Sequence, residues 1–129
     1  MRKYFLLIIA FLVFMSCDPL FHDDFIIPNK CSEKIKVSIK YYAGNDTTFE
    51  IQPESECLFY SEEWVGGASR IEKIDYLFED IVVQKGDAVS VVDYTKHDVW
   101  EKENVESSRR HRYYTDVKYY LYITPDDFE

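Results

Sequence analysis

The residues best suited to hold a charged ligand form a short basic run near the end of this acidic chain. Arg109, Arg110 and Arg112 surround His111 in a protein of 129 residues with 24 acidic and 15 basic side chains. Guanidinium groups bind phosphates, sulfates and carboxylates through paired hydrogen bonds, so three of them close together could form an anion site. The competing interpretation is a solvated hairpin tip that pairs with nearby acids.

Tyrosine provides a second binding chemistry. Tyr113, Tyr114, Tyr120 and Tyr122 lie in or beside the last predicted strand. Side chains alternate along a strand, so Tyr120 and Tyr122 share the face opposite the predicted core. Exposed aromatic rows on a sheet can stack on sugars or form a protein interface. Coverage by a neighbouring strand or by the N-terminal segment is the competing interpretation.

The three histidines are poorly placed to act as catalytic bases. Nucleophilic catalysis needs a Ser or Cys, a His base and an orienting carboxylate. His22 lies in an aperiodic segment, and His111 lies among arginines that disfavour its protonated form. His97 precedes Asp98, and neighbours in an extended segment point to opposite faces. The carboxylates of residues 126–129 are predicted to form a solvated tail, so we expect no enzyme, no metal and no cofactor.

The N-terminal residues carry the pattern of an export signal. Arg2 and Lys3 precede an apolar run over residues 5–14, which is too short to cross a hydrocarbon core of about 30 Å. Residues 14–17, Phe-Met-Ser-Cys, resemble the lipobox of bacterial lipoproteins, with Phe14 in place of the usual Leu. The resemblance implies a signal peptide over residues 1–16 and lipidation of Cys17. An ordinary cleaved signal with a chance cysteine is the alternative.

Charge limits the classes of partner. Two basic residues precede Cys17 and all 24 acidic ones follow it, so cleavage there leaves a net charge of −11. That balance argues against nucleic acid, whose affinity comes from basic side chains. It also argues against adhesion of the domain as a whole to anionic lipid heads. Acyl chains on the cysteine would therefore supply the attachment to the membrane.

Cys31 and Cys57 remain as one pair beyond the predicted cleavage site. A protein that folds outside the cytoplasm can keep a disulfide, so we predict a possible Cys31–Cys57 bond. Two small buried thiols are the alternative.

Periodicity predicts a mostly β protein. Ile35, Val37 and Ile39 alternate with lysines and serine, and residues 34–52 are typical of a hairpin with a turn at residues 44–46. The other predicted elements are a strand over residues 56–61, a loop over 64–69, a short helix or strand over 70–78, a second hairpin over 81–93, a polar loop over 103–112 and a final strand over 113–124.

Six to eight short strands favour an antiparallel β-sandwich, immunoglobulin-like or similar, with at most one short helix. Residues 17–30 lack periodicity and are predicted to form a lipidated N-terminus and tether. Residues 31–129 then form a single sandwich domain.

The lipobox, the tyrosine-rich β domain and the ending Tyr-Leu-Tyr-Ile-Thr-Pro-Asp-Asp over residues 120–127 make the chain similar to the short uncharacterised lipoproteins abundant in Bacteroidetes. The resemblance implies an outer-membrane or cell-surface location and no catalytic residues. It also implies possible O-glycosylation of Thr47, because Asp46-Thr47-Thr48 matches the short motif of that phylum at a predicted turn.

The leading hypothesis is a lipid-anchored envelope protein that acts as a non-enzymatic binding or structural module, with protein interaction favoured. A glycan-binding module of the cell surface is the alternative, and a small envelope hydrolase is a distant third. An exposed tyrosine patch with a polar rim would favour binding, and a cleft with converging carboxylates would favour an enzyme.

Overall fold

Eight strands form two packed β-sheets, as the turn spacing predicts. A computed structural model describes residues 20–65, 74–109 and 112–129. The strands are β1 (Leu20–Pro28), β2 (Ile35–Tyr41), β3 (Thr47–Ile51), β4 (Glu56–Val65), β5 (Phe78–Lys85), β6 (Ala88–Val89), β7 (Glu101–Arg109) and β8 (Arg112–Tyr120). A helical turn, α1 (Ile74–Leu77), precedes β5, and 3₁₀ turns span His97–Val99 and Pro125–Phe128. The predicted sandwich is confirmed.

Sheet 1 has the strand order β4-β1-β8-β7. β1 pairs antiparallel with β4 and parallel with β8, so one pairing departs from the predicted antiparallel pattern. Phe25 faces Tyr60 and Ile26 faces Leu58, so Phe59 is an extra residue that forms a β-bulge in β4. β1 itself keeps its alternation: Phe25 and Ile27 face the core, and Ile26 is buried on the opposite side of the strand.

Sheet 2 has the strand order β3-β2-β5-β6. The β2–β3 hairpin is confirmed, with Ile35 opposite Ile51 and Ile39 opposite Thr47. Gly44 lies in its turn at φ +93°, a conformation that costs other residues energy. The hydrophobic face of β2 is buried and its lysines are exposed, as alternation predicts.

Aromatic side chains from both sheets fill the core. The Phe25 ring stacks on Tyr119 at 4.8 Å between centroids and meets Phe78 edge-on at 5.7 Å. Trp100 stacks on Phe78 at 5.8 Å and donates its indole N–H to the Tyr94 carbonyl oxygen at 2.8 Å. These contacts join β1 and β8 of sheet 1 to β5 of sheet 2, so the aromatic cluster holds the two layers together.

Asn29 closes the end of β1 as a fully buried polar side chain. Its amide nitrogen donates to the carbonyl oxygens of Glu33 at 2.9 Å and Ile51 at 3.0 Å. Its side-chain oxygen accepts the Cys31 backbone N–H at 2.9 Å. The side chain thus ties β1 to the following turn and to the end of β3.

The prediction that the C-terminal carboxylates form a solvated tail is wrong for Asp127, which is part of the fold, whereas Asp126 and Glu129 are exposed. Asp127 accepts hydrogen bonds from the Tyr94 hydroxyl at 3.0 Å and the Thr124 backbone N–H at 3.1 Å. Its backbone oxygen accepts the Ser90 hydroxyl at 3.1 Å and the Val91 N–H at 3.0 Å. The last 3₁₀ turn is thereby fastened against the segment that follows β6.

The tether prediction was wrong from Leu20 onward, because residues 20–28 are an inner strand of sheet 1. The period of two is hidden because a charged residue, Asp23, lies on the core-facing side, where it is 1% exposed, and because Ile26 is buried on the opposite side. Residues 17–19, with Cys17, lie outside the described part of the chain.

Within the polar loop predicted over residues 103–112, residues 103–109 belong to β7 and Arg112 begins β8, while residues 110 and 111 lie outside the described ranges. β7 is an edge strand, and its exposed polar residues give no hydrophobic alternation to detect. The short helix predicted over 70–78 is confirmed for Ile74–Leu77, whereas Phe78 begins β5 and residues 70–73 lie outside the described ranges. Trp64 and Val65, expected in a loop, extend β4.

Replacing Asn29 should show how much the fold depends on its amide. We expect Asn29→Ala to lower the free energy of unfolding by about 2 kcal/mol, since backbone groups lose partners. Asn29→Asp should cost at least about 3 kcal/mol at neutral pH, because a buried carboxylate would face two carbonyl oxygens. Urea unfolding measures both, with the exposed Asn45→Asp as the control within about 0.5 kcal/mol. Equal stability of all three variants would contradict the role of this amide.

Tyr94 should make the protein sensitive to alkali. Burial raises the pKa of Tyr94 above its ordinary value, and the Asp127 carboxylate adds to the shift. The neutral phenol therefore contributes stability below pH 10, and that contribution is lost as the pH rises further. We expect Tyr94→Phe to cost about 1–2 kcal/mol at pH 7 and to flatten the loss of stability between pH 10 and 12. An unchanged slope in denaturant titrations would refute this.

Candidate functional site

The strand register places aromatic and apolar side chains together on the outer side of sheet 1. Residues that face each other on paired strands point to the same side of a sheet. Ile26 faces Leu58 on β4 and Tyr120 on β8. Two residues further along β8's direction, Tyr122 follows on the same side. We call Leu58, Tyr120 and Tyr122 the tyrosine face.

The tyrosine face is exposed, although Ile26 beneath it is buried. Leu58 is 57% exposed and Tyr122 is 37% exposed. The rings of Tyr120 and Tyr122 stack at 5.8 Å between centroids with an interplanar angle of 20°. The prediction that these two tyrosines share the face opposite the core is confirmed. Their predicted coverage by the N-terminal segment does not occur for residues 20–28, which lie beside β8 within the sheet.

Carboxylates form the rim of this face. Glu101 lies opposite Tyr120 on the edge strand β7, and Glu56 lies opposite Pro28 on β4. Burial is the main factor that raises the pKa of Tyr120, and the Glu103 and Glu56 carboxylates raise it further. The Tyr120 side chain also hydrogen-bonds to Glu103. The phenol is therefore neutral at physiological pH. The result is an apolar centre whose border contains Glu56, Glu101 and Glu103 and one basic residue, Lys118, opposite Glu103, which suits a partner surface that carries basic side chains around an apolar anchor.

A polar cluster continues along the same outer side of β1 and β4. Asp24 accepts a hydrogen bond from the Ser61 hydroxyl at 2.6 Å and contacts the His22 Nε2 at 2.8 Å. The other imidazole nitrogen of His22 lies 3.4 Å from Glu63. The serine hydroxyl is thus paired with a carboxylate, whereas a catalytic serine needs an imidazole base. This arrangement links β1 to β4 by side chains as well as by the backbone.

The predicted anion site and the predicted tyrosine site are separate. Arg109 and Arg112 face each other at the closed end of the β7–β8 hairpin, and Arg110 lies outside the described residues. Tyr120 is at the other end of β8, eight residues from Arg112. At about 3.3 Å per residue, the two ends are about 26 Å apart. The arginines and the tyrosines therefore cannot hold one small ligand together.

Thr47, the predicted glycosylation position, is the first residue of β3 and is half-buried. It lines an open groove of about 340 Å³. The other lining residues come from the end of β2, the β2–β3 turn, β4 and α1: Tyr41, Ala43, Asn45, Asp46, Phe59, Tyr60 and Leu77. Modification of Thr47 stays a prediction.

The predicted disulfide is absent, since Cys31 and Cys57 are both free thiols. Cys31 is fully buried, with its sulfur 3.9 Å from the Ile123 carbonyl oxygen. Cys57 is half-buried on β4 opposite Ile27. Burial raises the pKa of both thiols, which keeps them protonated and unreactive. The alternative of two buried thiols describes them better.

His97 has a carboxylate partner that its sequence neighbours do not indicate. Its Nδ1 lies 3.0 Å from Asp75 in α1, and its backbone N–H donates to the same side chain at 3.0 Å. The hydrogen bond from His97 lowers the pKa of Asp75. Because Asp75 and His97 are far apart in sequence, no spacing rule would have paired them. The pair fastens α1 to the turn before β7.

Within residues 20–65, 74–109 and 112–129, none of the helices is long and apolar enough to cross a membrane. No group of three or more histidine, cysteine or carboxylate side chains there could hold a metal ion.

Comparisons of the chain with protein-family models, with curated proteins and with solved structures find no significant match. Function is therefore inferred from the chemistry and geometry of the described residues.

Proposed function

We propose that this protein is a lipid-anchored module of the bacterial cell envelope, placed at the outer membrane, that binds a partner protein through the tyrosine face. The observation that carries the proposal is the group formed by the exposed Leu58 and Tyr122 and the half-buried Tyr120 beside carboxylates. The anchor is supported by the lipobox-like residues that end at Cys17.

The shape and composition of the tyrosine face favour a protein partner. Tyrosine is enriched among the residues that contribute most to protein–protein binding, because it buries a large rigid ring and keeps a polar end. A border of charged groups steers a complementary partner and disfavours others. Glu56, Glu101 and Glu103 therefore select for a basic partner surface.

Glycan binding is the second candidate, and the tyrosine pair is also the observation that favours it. Aromatic rings can stack on the apolar side of a sugar. However, Tyr120 and Tyr122 stack on each other, so part of each ring surface is already occupied. A flat protein surface can still contact the ring edges and Leu58, which makes the protein partner the better fit.

Removing the two ring systems should abolish partner binding. We expect Tyr120→Ser with Tyr122→Ser to weaken binding at least tenfold, since truncation of central aromatic anchors commonly costs about 2 kcal/mol or more. Tyr42→Ser with Tyr76→Ser is the matched control, because these tyrosines are 61% and 76% exposed elsewhere on the domain. Cross-linking in native envelopes identifies the partner, and titration with that purified partner measures affinity.

The same titration separates the proposal from its alternative. Binding should weaken as salt rises, since exposed charges are screened over about 8 Å at physiological ionic strength. Equal loss in both double variants would refute a role for the tyrosine face. The partner would instead be a glycan if no protein is cross-linked and if the wild-type domain binds a glycan array that the Tyr120→Ser, Tyr122→Ser variant does not bind.

Cys17→Ala tests the anchor separately. The substitution removes the acylation site, so we expect loss of incorporated fatty acid and release of the protein from the membrane fraction. Mass spectrometry of the N-terminal peptide and fractionation of the expressing cells measure both. A cleaved Cys17→Ala protein that still fractionates with membranes would show that a lipid on this residue is not what holds the protein there.

A further inference from the structure

The open groove beside Thr47 has the size and the composition of a small-ligand site. Its volume is about 340 Å³, and pockets that hold small organic ligands range from about 300 to 1,000 Å³. Such pockets combine a mainly apolar lining with a few polar groups. Five of the eight lining residues are apolar or aromatic, and the other three are Asn45, Asp46 and Thr47.

Two β-bulges shape the aromatic wall of the groove. In β4 the extra residue is Phe59, and its ring and that of the adjacent Tyr60 both contact Phe25 in the core, at 6.5 and 5.6 Å between centroids. A regular strand would turn one of these two neighbours outward. In β5 the extra residue is Glu79, next to the position that pairs with Tyr41. Bulges are common where a strand must aim a side chain at a site.

The Tyr41 and Tyr60 rings are half-buried and tilted against their aromatic neighbours. Their centroids are 5.7 Å apart at an angle of 40°, and they contact Phe78 at 54° and 81°. Within the part of the chain that the structure describes, no aromatic ring stacks parallel on either of them, in contrast to the mutually stacked rings of the tyrosine face. Ring surface is therefore left for a ligand, and the apolar side of a sugar can pack on it.

Polar groups around these rings can bind hydroxyl groups as donors and as acceptors. The Tyr60 hydroxyl donates to the Glu62 carboxylate at 3.2 Å, so its oxygen is left to accept a hydrogen bond. Burial raises the pKa of both Tyr41 and Tyr60, so both phenols keep their protons. The Asn45 amide offers a donor group and an acceptor, and the Asp46 carboxylate adds further acceptors.

The charge of the lining disfavours anionic ligands. Among the residues that the structure describes, Asp46 is the one charged residue of the lining, and no lysine or arginine belongs to it. Lys40, which precedes Tyr41, pairs with Glu79 at 3.3 Å on the exposed side of β2. A phosphate, a sulfate or an acidic sugar would therefore meet repulsion. A cation would use only the acceptors, whereas the hydroxyl groups of a neutral sugar use donors and acceptors alike.

We infer that this groove binds a ring of a neutral sugar. The apolar side of the sugar packs on Tyr41 and Tyr60, and its hydroxyl groups bond to Asn45 and Asp46. The site is separate from the tyrosine face, because Tyr60 is on the core-facing side of β4 and Leu58 is on the outer side. The inference adds a small ligand to the protein partner proposed above, and it depends neither on that partner nor on the lipid anchor.

Affinity electrophoresis tests the sugar class. The full chain is extracted from expressing cells with a detergent that has no sugar headgroup, and it is run in native gels that contain one polysaccharide each. Mannan, galactan, xylan and dextran are the neutral probes, and polygalacturonate and heparin are the anionic ones. We expect at least one neutral polysaccharide to slow the protein and neither anionic one to do so. Failure of all four neutral probes, or equal retardation by the anionic ones, would overturn the inference.

Ala43→Trp tests the location, because the added indole would fill the groove without removing a polar group. We expect it to abolish the retardation. Ala88→Trp is the matched control, since Ala88 is also exposed and pairs with Lys85, about 23 Å along β5 from Phe78. Urea unfolding checks the fold of both variants. Equal retardation of the two would show that the sugar binds elsewhere.

Tyr41→Phe tests the hydrogen bond alone, because it keeps the ring. Titration calorimetry with an oligosaccharide of the retarding polymer should show affinity at least about threefold weaker than wild type. Tyr76→Phe is the control, since Tyr76 is 76% exposed and lies outside the lining. Unchanged affinity of Tyr41→Phe would contradict the assigned contact.

This inference and the proposed function fail separately. Sugar binding that persists in Ala43→Trp but is lost in the Tyr120→Ser, Tyr122→Ser variant would place the sugar on the tyrosine face and overturn the groove as its site. Sugar binding that is lost only in Ala43→Trp, with no partner protein cross-linked, would refute the proposed function and leave this inference standing.

Discussion

A buried amide needs partners for its two N–H groups and its oxygen, and Asn29 finds all of them in the backbone. Its own backbone groups pair with Ser55 and Glu54 in the turn before β4, and it forms a bridge to Ile123. Segments from four parts of the chain therefore meet at one residue, through its side chain and its backbone. An unpaired group at this depth is costly, so the segments must arrive together for any of them to be stable.

The position of β1 gives sheet 1 two different surfaces. On one side its aromatic residue Phe25 is the centre of the core, in contact with Tyr119 and Phe78. On the other side Ile26 supports the tyrosine face. Because neighbouring residues of a strand point to opposite faces, one short strand contributes large apolar side chains to both surfaces. The candidate site is thus built on a strand that the core already holds rigid, which favours precise presentation of exposed rings.

Sequence patterns predicted the strands that have one buried face and one solvent-exposed face. The β2–β3 hairpin and the buried face of β8 follow from alternation, and so does the outward position of Tyr120. Two elements gave no such signal. β1 has the charged Asp23 on its core-facing side and Ile26 buried on the other side, and β7 is a polar edge strand. Both pair with β8, so missing them also hid the layout of sheet 1.

The candidate site could be predicted only in part for the same reason. Tyr120 and Tyr122 were identified because they lie on one strand. Leu58 and the rim residue Glu101 join them through pairing between strands that are distant in sequence, and the link between Asp75 and His97 arises in the same way. No local pattern records which strand becomes the neighbour of another. The disulfide prediction failed similarly, since cysteine count shows which thiols exist but not whether they approach each other.

The parallel pairing of β1 with β8 also has a consequence for when the protein can fold. Almost the whole length of the domain separates these two strands in sequence, and β4 alone gives β1 only one neighbour. Contacts of such high sequence separation form slowly, because a long loop must close before they contribute. β1 is synthesised early and β8 is synthesised last, so β1 gains its second neighbour only after β8 has been made. A chain with this topology cannot complete sheet 1 until its last strand is available.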